Sequence, residues 1–243
     1  MNIESGCRMV YFGAKGNRIE GRYTQQHEHN RPAVVIFSPD PRYGGSIDNK
    51  IVRLLEDSFY KCGFITLAVN YLGVGNSDGV FHGISDGDLT AAVAIDWLQA
   101  QVSEISHIWV SGYSFGSLIA ANLCMRRPEV ENFLLVSPLL EQYDFSFFCP
   151  ALCDGLVMAG DQDKLINPSH LQKLVSQMNN SNNVSVELIN IEGADHKFDA
   201  CTDKLQQEMI NYINMKLATR IAKPVRKKRR RRQKKDTTML DND

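Results

Sequence analysis

Apolar residues recur along this chain in two rhythms. Runs rich in β-branched and aromatic side chains, Pro32 to Ser38, Phe64 to Tyr71, His107 to Ser111, Val130 to Ser137, Gly155 to Gly160 and Val184 to Ile191, have the length and make-up of buried strands. Between them lie segments whose apolar positions suit helices: Lys50 to Cys62, Gly87 to Gln101, Ser117 to Met125, Pro168 to about Met178 and Ala200 to about Leu217. Ahead of these, Arg8 to Gln25 reads as an antiparallel pair turned at Ala14-Lys15-Gly16-Asn17. Strands alternating with helices predict an α/β fold, a mostly parallel sheet covered by helices on both faces.

One junction in this pattern carries chemistry. Gly112-Tyr113-Ser114-Phe115-Gly116 lies where a strand passes into a helix. A serine on so sharp a turn has strained backbone angles, and side chains two residues away on either side would strike the adjoining elements, so glycines at 112 and 116 fit a nucleophile elbow. A hydroxyl is a poor nucleophile until a base takes its proton, and the base needs a carboxylate to orient it. The strand at Gly155 to Gly160 runs into Asp161-Gln162-Asp163, and the strand at Val184 to Ile191 runs into Glu192-Gly193-Ala194-Asp195-His196. Ser114, Asp163 and His196 then follow the chain order of strand-turn-helix hydrolases, each on a loop at the carboxyl end of a strand, where an open parallel sheet places its ligands. Asp163 is preferred to Asp161 because the loop needs about two further residues to carry a carboxylate sideways to the imidazole; Asp161 suits a turn former. His196 is the histidine that follows both other members, whereas His27, His29, His82, His107 and His170 precede it. His27-Glu28-His29 lacks a third ligand nearby and reads as a solvated loop rather than a metal site.

Composition narrows the setting. With 243 residues and 43% apolar content, one α/β domain over residues 1–219 accounts for the core. No apolar run reaches the length of a membrane span and Met1 to Gly6 lacks the features of a secretory signal, so the expected location is cytoplasmic. The six cysteines are scattered, mostly among apolar residues, as reduced thiols are. The 27 Lys and Arg nearly balance the 28 Asp and Glu, but 11 of the basic residues lie between Arg220 and Lys235 with no acid among them. That leaves 16 basic against 25 acidic side chains up to residue 219, an acidic body with a basic tail at 220–243. Such a tail is expected to be disordered, either simply solvated or a polyanion-binding arm for nucleic acid or an anionic membrane; without interleaved aromatic residues its binding would be blind to sequence.

Taken together these residues resemble the α/β-hydrolase superfamily, specifically its small, dienelactone-hydrolase-like bacterial hydrolases, over roughly Arg31 to Leu217. Ser38-Pro39-Asp40-Pro41-Arg42-Tyr43-Gly44-Gly45-Ser46-Ile47-Asp48-Asn49 stands where those proteins carry His-Pro-His-Pro followed by Gly-Gly and Asp-Asn, and Gly73-Val74-Gly75-Asn76-Ser77-Asp78-Gly79 matches their glycine-rich turn. The resemblance implies catalytic roles for Ser114, Asp163 and His196. An oxyanion hole requires two N–H donors: Phe115, at the start of a helix, supplies one, and the resemblance assigns the other to Asp40, with Tyr43 an open alternative. Ser38 and Asp40 replace histidines of the relatives, and an inward-facing Asp40 carboxylate would oppose the oxyanion; turning towards Arg42 would relieve this. The short stretch between Ser137 and Leu156 leaves little room for a lid, and Tyr143, Phe145, Phe147 and Phe148 are candidate walls of an acyl pocket, two of them equally suited to the core. The expectation is a serine hydrolase with neither metal nor organic cofactor, acting on a small or medium ester, thioester or lactone. The competing class is a binding protein of the same fold working through its basic tail, and a peptidase or acyltransferase with the same residues is a third reading.

Overall fold

In the computed structural model, which describes residues 6–14, 16–25, 31–102, 104–180 and 183–222, eight strands form one sheet in the order β1-β2-β4-β3-β5-β6-β7-β8. The hairpin of β1 (Cys7–Ala14) and β2 (Asn17–Thr24) joins the sheet antiparallel to β4 (Ile65–Val69). From β4 through β3 (Arg31–Phe37), β5 (Ile105–Tyr113), β6 (Val130–Val136), β7 (Asp154–Gly160) and β8 (Val186–Ile191) all neighbours are parallel.

Side-chain alternation sorts the central strands into two cores. Ala33, Val35 and Phe37 of β3, Ile108 and Val110 of β5, Phe133 and Leu135 of β6 and Val157 and Ala159 of β7 pack on one face with α2 (Ile84–Gln101), α3 (Phe115–Arg126) and α4 (Pro168–Met178). Val34 and Ile36, Trp109, Leu134 and Val136, and Leu156 and Met158 point the other way, against α1 (Lys50–Lys61) and α5 (Thr202–Ala222). Burial on both faces explains why these strands read as almost continuous apolar runs. Each large side chain so buried contributes on the order of 1.5–3 kcal/mol.

α4 spans the residues expected, and the other elements fall within a few residues of theirs. One difference bears on the expected domain boundary. α5 continues to Ala222, beyond Leu217 and beyond 219, because Arg220 folds back to pair with Glu131 and donates to the Ser106 carbonyl (3.2 Å), which carries the helix past the point where charge alone would end it. The rest of the basic segment, through Lys235, lies outside the described residues, as do His27 and His29. All six cysteines are free, and no helix among the described residues is long and apolar enough to cross a membrane.

Candidate active site

Ser114 sits between the end of β5 and the start of α3 with φ 57° and ψ −118°, a conformation that costs a non-glycine residue energy. The surrounding packing holds it there. The Ser114 N–H donates to the Val136 carbonyl (2.8 Å), and the Ser117 hydroxyl, one turn on, lies within hydrogen-bonding distance of the Gly112 and Val136 carbonyls (2.9 and 3.0 Å). The two glycines are required by space: a Cβ at 112 would come within 2.1 Å of the Gly116 carbonyl oxygen, and one at 116 within 2.1 Å of that of Phe37. Phe115 is fully buried, with its ring against Tyr71, Phe81 and Tyr143, so the first turn of α3 is held from the side.

The loops after β7 and β8 bring the partners. Asp163 is buried; its Oδ1 accepts the Leu165 N–H (2.9 Å), and its Oδ2 lies 2.7 Å from His196 Nδ1. Since a carboxylate only accepts, Nδ1 carries the proton, which leaves Nε2 to accept from the Ser114 hydroxyl at 3.2 Å. Thus the three residues, far apart in sequence, form one hydrogen-bonded relay. Asp161 is occupied otherwise, with Oδ1 accepting the Gly193 N–H (2.8 Å) and tying the two loops together. Phe198, fully buried at φ 55°, anchors the chain just past His196 in the second core.

Tyr113 completes the setting, a residue not singled out from sequence. Its hydroxyl donates to the His196 carbonyl (2.8 Å) and its ring lies 5.4 Å from the imidazole. Burial, then the carboxylates of Asp163, Asp195 and Asp199, raise its pKa, so it remains a donor. Strand alternation puts Tyr113 on the second face, but its neighbour there comes from a loop 83 residues later, which no local pattern announces.

Asp40 caps a 3-10 turn at Pro41–Tyr43, accepting the Arg42 N–H (2.9 Å). Its carboxylate is turned to the Arg42 side chain, with Nη2 at 2.6 Å from Oδ2 and Nε at 3.0 Å from Oδ1, while the Tyr143 hydroxyl donates to Oδ2 at 3.4 Å. Burial would raise this carboxyl's pKa, but the hydrogen bonds and charge of Arg42 outweigh it and hold it below its ordinary value. The Tyr43 N–H donates to the Asp40 carbonyl (3.1 Å) and is therefore committed to the turn.

A cleft of about 560 Å³ opens over Ser114 and His196, walled by Pro39 to Asp40, Tyr43 to Gly45, Leu139, Tyr143 and Leu165. At its rim Lys50 pairs with Asp199, beside Lys197. Of the four aromatic residues considered as walls, Tyr143 lines this cleft. Phe145 and Phe148 are instead core, packed in the first cluster, and Phe147 is part-exposed away from the cleft. The 3-10 turn at Ser146–Phe148 sets the Phe148 ring against Phe133, which spacing alone does not reveal.

Known proteins share this fold. The family model described as X-Pro dipeptidyl-peptidase (S15 family) matches residues 8–197. An uncharacterized protein of Rickettsia prowazekii is 33% identical over 208 residues, 84% of this chain and 87% of that one. The crystal structure of an Agrobacterium tumefaciens protein of unknown function, described as a candidate alpha/beta hydrolase, is 35% identical with a TM-score of 0.84, covering 87% of this chain and 97% of its own. A Xanthomonas campestris protein described as an a/b serine hydrolase without lid has a TM-score of 0.77 at 18% identity, covering 87% of this chain and 95% of its own.

Proposed function

This chain belongs to the X-Pro dipeptidyl-peptidase (S15) family and is a hydrolase of the α/β-hydrolase superfamily; on that footing we propose that it cleaves a small or medium carboxylic ester, thioester or lactone in the cytoplasm through an acyl-enzyme formed on Ser114. The observation that carries the reading is His196, bonded through one ring nitrogen to Asp163 (2.7 Å) and through the other to Ser114 (3.2 Å).

In this mechanism Ser114 Oγ bonds to the carbonyl carbon, the carbonyl π pair moves to oxygen, and the hydroxyl proton passes to His196 Nε2. Asp163 keeps the Nδ1–H in place and stabilises the imidazolium. The oxyanion takes hydrogen bonds from the N–H groups of Phe115 and Asp40; the first, at the opening turn of a helix, has no intrahelical acceptor. Collapse breaks the bond to the leaving group, which receives the proton from His196. Water, deprotonated by His196 in turn, then releases the acid and frees Ser114.

The shape and charge of the cleft support the substrate class. Between β6 and β7 the chain has one 3-10 turn and no cap, so the cleft stays open to small acyl groups. A dipeptidyl-peptidase reading, raised by the family description, requires a carboxylate for the substrate's terminal ammonium. Asp40 is tied to Arg42 and Asp199 to Lys50, which favours an uncharged ester. The basic segment beyond Ala222, through Lys235, belongs to the same proposal as a polyanion-binding arm outside the chemistry.

A fluorophosphonate probe at neutral pH tests the nucleophile. We expect the native protein to be labelled on Ser114 and the Ser114→Ala protein to be spared; a native protein that stays unlabelled points instead to a binding protein of this fold.

A further inference from the structure

The loop from Pro39 to Gly45 carries a carboxylate into the wall of the very cleft in which the proposed reaction generates negative charge. Asp40 is 4% exposed, and its carboxylate meets three donors: the Arg42 side chain, the Arg42 N–H and the Tyr143 hydroxyl. Of these only the guanidinium brings a charge. Arg42 lies on the far side of the loop, half-exposed along a separate groove walled by Leu72 to Gly75 and Gly79 to Phe81. The two grooves share Gly44 and Gly45, so the loop is a partition with the reacting side on one face and the cation on the other.

We propose that Arg42 is the counter-charge that makes this loop competent: by drawing the Asp40 carboxylate aside and cancelling its charge, it leaves the loop's backbone N–H free to stabilise an oxyanion. Arg42 acts through Asp40 and is a positioning residue. The inference rests on the reading of Ser114 as nucleophile. It differs from a merely structural role because the Asp40 carboxylate does two separable things. One oxygen caps the 3-10 turn by accepting the Arg42 N–H, which an asparagine oxygen also does; the negative charge is what requires Arg42. Removing the cation should therefore be harmful only while the anion is present.

The experiment is a double-mutant cycle on the full chain, read by p-nitrophenyl acetate turnover and by the rate of fluorophosphonate labelling, with thermal melts confirming that each variant is folded. Arg42→Ala should lower kcat and the labelling rate by about tenfold or more, with KM changing less than about threefold. The same change made in the Asp40→Asn protein should cost less than about twofold. Arg42→Gln, which retains hydrogen-bonding capacity without the charge, should behave as Arg42→Ala and serves in its place if that variant does not fold. An Arg42 variant within twofold of wild type, or a double variant penalised as heavily as Arg42→Ala, overturns the counter-charge while leaving the labelled nucleophile intact. A wild-type protein that neither turns over nor labels removes the nucleophile reading, and this inference with it.

Discussion

At the scale of single residues, the choice between two aspartates two positions apart shows what a loop decides. Asp161 and Asp163 are chemically identical, and only geometry separates them: one binds a backbone N–H of the neighbouring loop, the other the imidazole. Asp163→Asn leaves the shape but forfeits the charge that fixes the tautomer, so kcat for an activated ester should fall by roughly three orders of magnitude, whereas Asp161→Asn should stay within about tenfold. Equal losses in steady-state assays of the two variants would contradict the assignment. Ser114, Asp163 and His196 were legible because an elbow bounded by glycines and loops after strand ends leave marks in the primary structure. Tyr113 and the capture of Asp40 by Arg42 depend on side-chain direction, which those marks do not contain.

At the scale of elements, the glycine-rich turn Gly73 to Gly79 owes its form to a buried carboxylate on β2. Glu20 accepts hydrogen bonds from the Asn76 N–H (2.9 Å) and the side-chain amides of Asn76 (2.6 Å) and Asn70 (2.8 Å), and a Cβ on Gly75 would lie 2.2 Å from Glu20 Oε2. Asn70 in turn accepts the Ile47 N–H (2.9 Å), which steadies the segment leading to Asn49 and Lys50 in the cleft wall. Replacing Glu20 by Gln sets an amide donor against these donors and should cost about 1–3 kcal/mol, measured by urea unfolding. Burial would raise the Glu20 pKa, but the bonds from Asn76, Asn70 and Tyr11 outweigh it and lower it from the ordinary 4.5. Folding therefore favours the charged form: the contribution is complete above about pH 4.5 and is lost as pH falls through the lowered value. Urea midpoints of the native protein should accordingly drop over that acid range, and Glu20→Gln should flatten the drop.

At the scale of the whole molecule, an acidic body and a basic segment share one chain. α5 runs to Ala222 with Arg220 paired to Glu131, so a truncation meant to spare the fold belongs after Ala222 rather than before Arg220. Removing residues 223–243 should leave ester turnover within about twofold and abolish retention on heparin, while retention of the full chain should weaken steeply with salt. A truncated protein that still binds heparin would assign the contact to the body. Alternating apolar runs by themselves determined the order of strands and helices and the mostly parallel sheet, because burial on two faces demands near-continuous hydrophobic strands whatever surrounds them. The elbow and the candidate relay were likewise implied by local spacing, since strand ends in such a sheet all open on one edge. What only the tertiary structure decided was where side chains of similar chemistry point. Phe145 and Phe148 turned into the core, Asp40 turned to Arg42, and the last helix outran its expected end where Arg220 meets Glu131 and the Ser106 carbonyl. Each outcome depends on a partner distant in sequence or on a side-chain rotation, and neither is encoded in hydrophobic period.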